Sequence, residues 1–95
     1  MFVYVAHKED TFDDVLHAKH IVRKMQIADK NSIYFCPVLF FRHLNKTDLA
    51  PDDMRELKLD LMSKMDVVFL ASDNVDDETR EAHHMGLDVY RVTET

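Results

Sequence analysis

The chain has 95 residues, of which 46% are hydrophobic and 32% charged, and this composition is typical of one folded domain and differs from that of disordered chains. Its 12 basic and 18 acidic residues give a net charge of −6, and no basic stripe is visible, which disfavours duplex nucleic acid as a partner. The single glycine excludes a Walker loop and a dinucleotide-binding fingerprint, because both need several glycines.

The cysteine and histidine content bears on the compartment and on metals. Cys36 is the only cysteine, so the chain has no internal disulfide, and no signal-peptide pattern opens it. The apolar runs are far shorter than the ~20 residues of a membrane span. His17 and His20 are three residues apart, but no carboxylate or cysteine completes a recognisable ligand pattern with them. We therefore expect a cytoplasmic protein with a small-molecule ligand, no membrane contact and no metal or other cofactor.

The first third of the chain predicts a strand, a long helix and a second strand. Phe2–Ala6 is a run of β-branched and aromatic residues, which suits a central parallel strand. From Thr11 to about Ala28, apolar residues recur at three- and four-residue spacing, which predicts an amphipathic helix with Thr11 as its N-cap. The run that starts at Ile33 predicts a second strand, and Pro37 is expected to end its ladder.

The remainder predicts two more helices and two more strands. Residues 38–49 are expected to form a connection, and a second helix is expected to start within Asp48–Asp53, where Pro51 suits an early helical position. Its apolar stripe consists of Met54, Leu57, Leu61, Met62 and Met65. A strand, a helix with its C-terminal cap, and a last strand follow at Val67–Ala71, Asp76–Met85 with Gly86, and Val89–Val92.

This alternation predicts a small doubly wound α/β sheet of about four parallel strands, flavodoxin-like or Rossmann-like, with helices on both faces and a single domain over residues 1–95. Because so small a sheet leaves apolar surface exposed, we expect a homodimer that covers a helix face or the region of Phe40 and Phe41. Open α/β sheets bind ligands at the carboxyl ends of their strands, so the site is expected there.

Two short motifs lie at this predicted edge. The first strand contains Val3-Tyr4-Val5-Ala6, and a later strand reads DVVFL over Asp66–Leu70. Ser72 then lies six residues before Glu78, with Asn74 between them. This order resembles the nucleoside 2-deoxyribosyltransferase-like family, and especially its short bacterial and phage members. Those proteins open with a strand similar to VYIAGP and later carry an aspartate-led apolar strand and the pattern SxGxxxE.

The resemblance implies a site and a reaction. Glu78 would be the nucleophile that attacks the anomeric carbon of a deoxyribose and releases the base. A carboxylate at the start of a helix suits this role, because the helix dipole favours its ionised form. The resemblance also implies ligand-binding residues in the turn and at the end of the first strand, namely Ser72, Asn74, Ala6, His7 and Lys8.

Four positions differ from the family pattern, and the mildest of these differences is Asn74 in place of the glycine of SxGxxxE. His7 and Lys8 stand where the family has glycine and proline, and Lys58 stands where it commonly has a base-contacting aspartate. The first hypothesis is therefore a protein that binds a nucleoside, nucleotide or related ribosyl compound and, if active, cleaves or transfers its N-glycosidic bond. The second is a non-catalytic module that senses or sequesters a nucleotide. The third is an interaction protein that keeps the fold and has lost the site.

Overall fold

A computed structural model describes residues 1–41 and 51–92 of the chain. All four strands of its sheet are parallel, and helices lie on both faces, so the predicted doubly wound α/β fold is confirmed. In chain order the elements are β1 (Phe2–Ala6), α1 (Phe12–Ala28), β2 (Ile33–Phe35), α2 (Pro37–Phe41), α3 (Pro51–Met62), β3 (Val67–Leu70), α4 (Asp76–His84) and β4 (Asp88–Arg91).

The strand order β2-β1-β3-β4 places β1 inside the sheet, paired with β2 on one side and β3 on the other. Alternate residues of β1 pack into two cores. Val3 and Val5 join the core under α1 and α2, whereas Tyr4 and Ala6 join the core under α3 and α4. This explains why β1 reads as an uninterrupted apolar run, since both of its faces are covered.

Two helix ends follow local sequence signals. At the start of α1, the Thr11 hydroxyl accepts from the Asp14 N–H (3.2 Å) and Asp14 accepts from the Thr11 N–H (3.0 Å), which is a capping box. After α4, Gly86 has φ 75°, the Gly86 N–H donates to the His83 carbonyl and the Leu87 N–H donates to the Ala82 carbonyl. Gly86 thus completes a Schellman motif, one residue beyond the C-cap.

The segment after β2 differs from the prediction. Pro37 does end the ladder, but it also begins the five-residue helix α2, so the expectation of a connection from residue 38 is wrong for residues 38–41. Proline suits the first helical position because its missing N–H would have no partner there. The rest of the predicted connection, and the expected helix start at residues 48–50, lie outside the described residues.

The helices of the described ranges are modest in length, with 17 residues in α1 and 12 in α3. None of these helices combines the length and the apolar character that crossing a bilayer requires.

Candidate functional site

The carboxyl ends of β1 and β3 meet at the point where the chain winds in opposite directions, from β1 toward β2 and from β3 toward β4. Crevices in open α/β sheets form at such a point. Here the Lys8 N–H donates to the Ser72 hydroxyl (2.9 Å), which donates to the Asp73 carbonyl (2.9 Å). The Lys8 ammonium pairs with the Asp73 carboxylate at 3.3 Å. The structure therefore brings together Lys8, at the end of the first strand, and Ser72, in the turn before α4.

Glu78, the predicted nucleophile, lies in the first turn of α4 and points under the helix toward β1. The Tyr4 hydroxyl donates to its Oε2 at 2.5 Å, a length typical of a hydrogen bond to an ionised oxygen. Tyr4 is 0% exposed, and its ring belongs to the core under α3 and α4. The carboxylate is therefore held by a rigid strand residue 74 positions away in the chain.

Burial raises the pKa of Glu78, whereas its contacts with Tyr4 and Lys58 lower it. Loss of hydration raises the pKa of its carboxyl above the ordinary range, and the neighbouring Asp77 adds to this rise. The hydrogen bond from Tyr4 and the positive charge of Lys58 lower the same pKa, although they do not cancel the effect of burial. Lys58 thus acts on the candidate nucleophile from α3, and this is the position where the family resemblance leads one to expect an aspartate.

The Tyr4 phenol and the Cys36 thiol next to this carboxylate stay protonated. Burial raises the pKa of Tyr4, and the charge of Glu78 and the hydrogen bond to it raise that pKa further. Burial also raises the pKa of Cys36 to about 11, with a further contribution from Glu78. Tyr4 is therefore a hydrogen-bond donor at neutral pH, and Cys36 is a buried thiol that suits packing and not nucleophilic attack.

His7 and Ala6 lie on opposite sides of the sheet, and only Ala6 is on the side of Glu78. His7 is buried on the α1 side of the sheet, where its Nε2 lies 2.6 Å from Nδ1 of His17 and its Nδ1 lies 2.7 Å from the Lys8 carbonyl. Because a carbonyl only accepts, Nδ1 of His7 carries the proton. The Ala6 side chain is fully buried on the other side, and its carbonyl accepts from the Ala71 N–H at 2.8 Å. Ligand contact by His7 and Ala6 stays a prediction, and the two histidines instead tie the end of β1 to α1.

Asn74 shapes the turn between β3 and α4. Its φ of 58° lies in the left-handed region, which asparagine tolerates better than most residues. Together with the first turn of α4 it lines a shallow depression whose rim consists of Asn74, Val75, Asp76, Asp77 and Glu78. Three of these five residues are acidic, so the depression has a negative potential.

Sequence reasoning missed Tyr4 and the influence of Lys58 as parts of the site. A signal for Tyr4 was present, since a tyrosine in a strand covered on both faces needs a partner for its hydroxyl. In residues 1–41 and 51–92, no group of three or more His, Cys, Asp or Glu residues is arranged to hold a metal ion.

Comparisons with family models, with curated proteins and with solved structures give no match to this chain. The functional proposal below therefore rests on the geometry around Glu78 together with the sequence motifs.

Proposed function

We propose that this protein binds a nucleoside or a related ribosyl compound beside Glu78 and cleaves or transfers its N-glycosidic bond, with Glu78 as the nucleophile. The observation that carries the proposal is the hydrogen bond from the buried Tyr4 hydroxyl to Oε2 of Glu78. It orients a partly desolvated carboxylate at the carboxyl edge of the sheet, and such a carboxylate is a stronger nucleophile than a hydrated one.

The proposed reaction has two displacements. Oε1 of Glu78 forms a bond to the anomeric carbon while the bond from that carbon to the base nitrogen breaks, and the base leaves with the electron pair and takes up a proton from solvent. Water or a second base then attacks the same carbon and loses a proton to solvent, while the bond from the carbon to Oε1 breaks and its electron pair returns to the carboxylate. Tyr4 keeps the carboxylate in place through Oε2, and the charge of Lys58 favours its ionised form.

The charges around the depression favour an uncharged substrate over a phosphorylated one. Asp73, Asp76 and Asp77 are all exposed beside Glu78, and a phosphate there would meet like charge. Of the two cations at this edge in the described ranges, Lys8 is paired with Asp73, and Arg91 donates to the Ser72 carbonyl at 3.4 Å. A free nucleoside therefore suits this negative potential better than a nucleoside monophosphate does.

A non-catalytic binding module is the second candidate, and one observation favours it. The raised pKa of Glu78 means that its burial disfavours the ionised form that a nucleophile needs. In such a module Glu78 would accept hydrogen bonds from ligand hydroxyl groups or donate one to them, without forming a covalent bond.

Base release separates the two candidates. The protein is incubated with a panel of ribonucleosides, deoxyribonucleosides and their monophosphates, and free base is quantified by chromatography. We expect release from nucleosides, a loss of about 10³-fold in Glu78→Gln, and near-normal activity in Glu81→Gln, which lies on the same helix and is bonded to Arg55. Undiminished activity in Glu78→Gln would refute the nucleophile. Ligand-induced thermal stabilisation without base release would favour the binding module.

A further inference from the structure

The outer face of α1 exposes three large apolar side chains. Phe12, Leu16 and Ile27 are 60%, 49% and 65% exposed, respectively. At ~100° per residue they lie within about 60° of one another around the helix axis, on the side opposite the core residues Ala18 and Ile21. We call these three residues the α1 stripe. The exposed Lys19 and Arg23 lie on the same face between Leu16 and Ile27. Single exposed apolar residues are ordinary, but three large ones on one face of a helix are typical of a binding surface.

Charged residues beside the α1 stripe differ between the two ends of the helix. Asp13 lies in the first turn, next to Phe12, and Arg23 and Lys24 lie in the turn before Ile27. All three charged residues are exposed. The stripe therefore has an acidic end and a basic end, which makes it complementary to a reversed copy of itself.

We propose that the α1 stripe is the interface of a homodimer in which the two α1 helices pack antiparallel around a twofold axis between residues 19 and 20. In this register Phe12 packs on Ile27 of the second copy, and Leu16 packs on the aliphatic stem of Arg23 of the second copy. Asp13 then faces Arg23 and Lys24 of the second copy. The twofold axis forms every contact twice, as in the isologous dimers that dominate among soluble oligomers.

The charges select this arrangement over the alternative ones. A parallel pair would set Asp13 against Asp13 and Lys24 against Lys24, and like charges in contact disfavour association. The antiparallel pair brings only the exposed Lys19, which lies beside the twofold axis, near its own copy, and it separates the two copies of Asp13 and of Lys24. Antiparallel packing also points the two helix dipoles in opposite directions, which is their favourable arrangement. An acidic protein partner would satisfy only the basic end of the stripe, whereas a second copy satisfies both ends.

The dimensions of α1 limit the strength of the dimer. Seventeen residues span about 25 Å, so one helix face buries less than the roughly 800 Å² per partner of a standard interface. We therefore expect a dissociation constant of about 10–100 μM, because only a few apolar side chains and exposed ion pairs hold the two chains together.

Sedimentation equilibrium between about 5 and 500 μM tests the proposal on the full chain. The wild-type mass should rise from the 11.2 kDa of one chain toward twice that value. Ile27→Asp should raise the dissociation constant more than about tenfold. Asp13→Arg and Arg23→Asp should each weaken the dimer, and their combination should restore it, because the exchanged charges again face each other. The matched control Asp60→Arg, on α3 at the opposite face, should change nothing.

Circular dichroism establishes that each variant keeps its helices, which matters most for Asp13→Arg because it alters the first turn of α1. Three results would overturn the proposal. The first is a wild-type chain that stays monomeric at every concentration, since the stripe would then have a different partner. The second is a dimer that Ile27→Asp leaves intact, which would move the interface to another surface, such as the exposed Phe2 and Ile33. The third is a combined charge exchange that fails to restore what the single exchanges weaken.

Discussion

Replacing Tyr4 with phenylalanine tests the central contact of the candidate site without altering the shape of the core. The substitution removes one oxygen from a side chain that is 0% exposed, and with it the 2.5 Å hydrogen bond to Glu78. A hydrogen bond to a charged group contributes roughly 1.5–3 kcal/mol, so we expect Tyr4→Phe to lower the free energy of unfolding by about 2 kcal/mol at pH 8. For a domain of this size that loss corresponds to a fall in Tm of about 10 °C.

The cost of Tyr4→Phe should depend on pH in a defined direction. The hydrogen bond from Tyr4 lowers the pKa of Glu78, so its removal raises that pKa further above the ordinary value. The Glu78 carboxyl of the variant therefore stays protonated up to a higher pH than that of the wild type. The extra loss of stability is therefore present above the pKa of Glu78 and shrinks as the pH falls through it. At pH 3–4 only a neutral hydrogen bond is lost, and its contribution is about 1 kcal/mol.

Urea denaturation at several pH values measures this dependence, with Tyr34→Phe as the matched control. The Tyr34 hydroxyl donates to Asp29 at 3.0 Å near the surface, so its loss should cost less than ~1 kcal/mol. A double-mutant cycle with Glu78→Gln isolates the coupling between Tyr4 and Glu78. The reasoning is refuted if Tyr4→Phe costs no more than Tyr34→Phe, or if its cost is the same at pH 4 and pH 8.

Three backbone and capping predictions are checked by the same urea denaturation. Gly86→Ala should cost ~1 kcal/mol because its φ of 75° is strained for alanine, although an added Cβ would meet no atom within 4 Å; an unchanged midpoint would contradict this. Thr11→Ala should cost ~1 kcal/mol by removing the capping box of α1, whereas Thr11→Ser should restore most of it. Asn74→Gly should be neutral or stabilise by up to ~0.5 kcal/mol, and Asn74→Ala should destabilise; the opposite order would show that the side chain and not the φ of 58° matters.

The parts of the fold that the sequence predicts are those with local signals. The apolar run of β1 requires two covered faces, and the capping box at Thr11 and the glycine after α4 mark helix ends within a few residues of themselves. The helix α2 was missed because proline is both a strand terminator and a first helical residue. Pro37 has both roles here, and only the first was used.

The candidate site was predicted less completely because its contacts are long-range. The two ends of the Tyr4–Glu78 bond are 74 residues apart, so no local pattern contains both. Strand alternation does contain part of the answer, since Tyr4 and His7, which directly follows β1, differ by an odd number of positions and so face opposite sides of the sheet. That rule already argues against one pocket lined by the side chains of both His7 and Glu78. Which carboxylate meets Tyr4 depends on how α4 is placed over the sheet, and this placement is a property of tertiary packing.

The anchoring of Glu78 to β1 has a consequence for local unfolding. β1 is bonded to a strand on each side and buried on both faces, so its amides are expected to exchange with solvent only when the whole domain opens. The nine-residue α4 is a surface helix whose end can fray at a lower free energy. Opening of α4 would pull Glu78 away from Tyr4 while the sheet stays intact. The positioned carboxylate thus exists only while the first turn of α4 is closed, and a ligand that contacts Glu78 should slow amide exchange in α4 before it affects any strand.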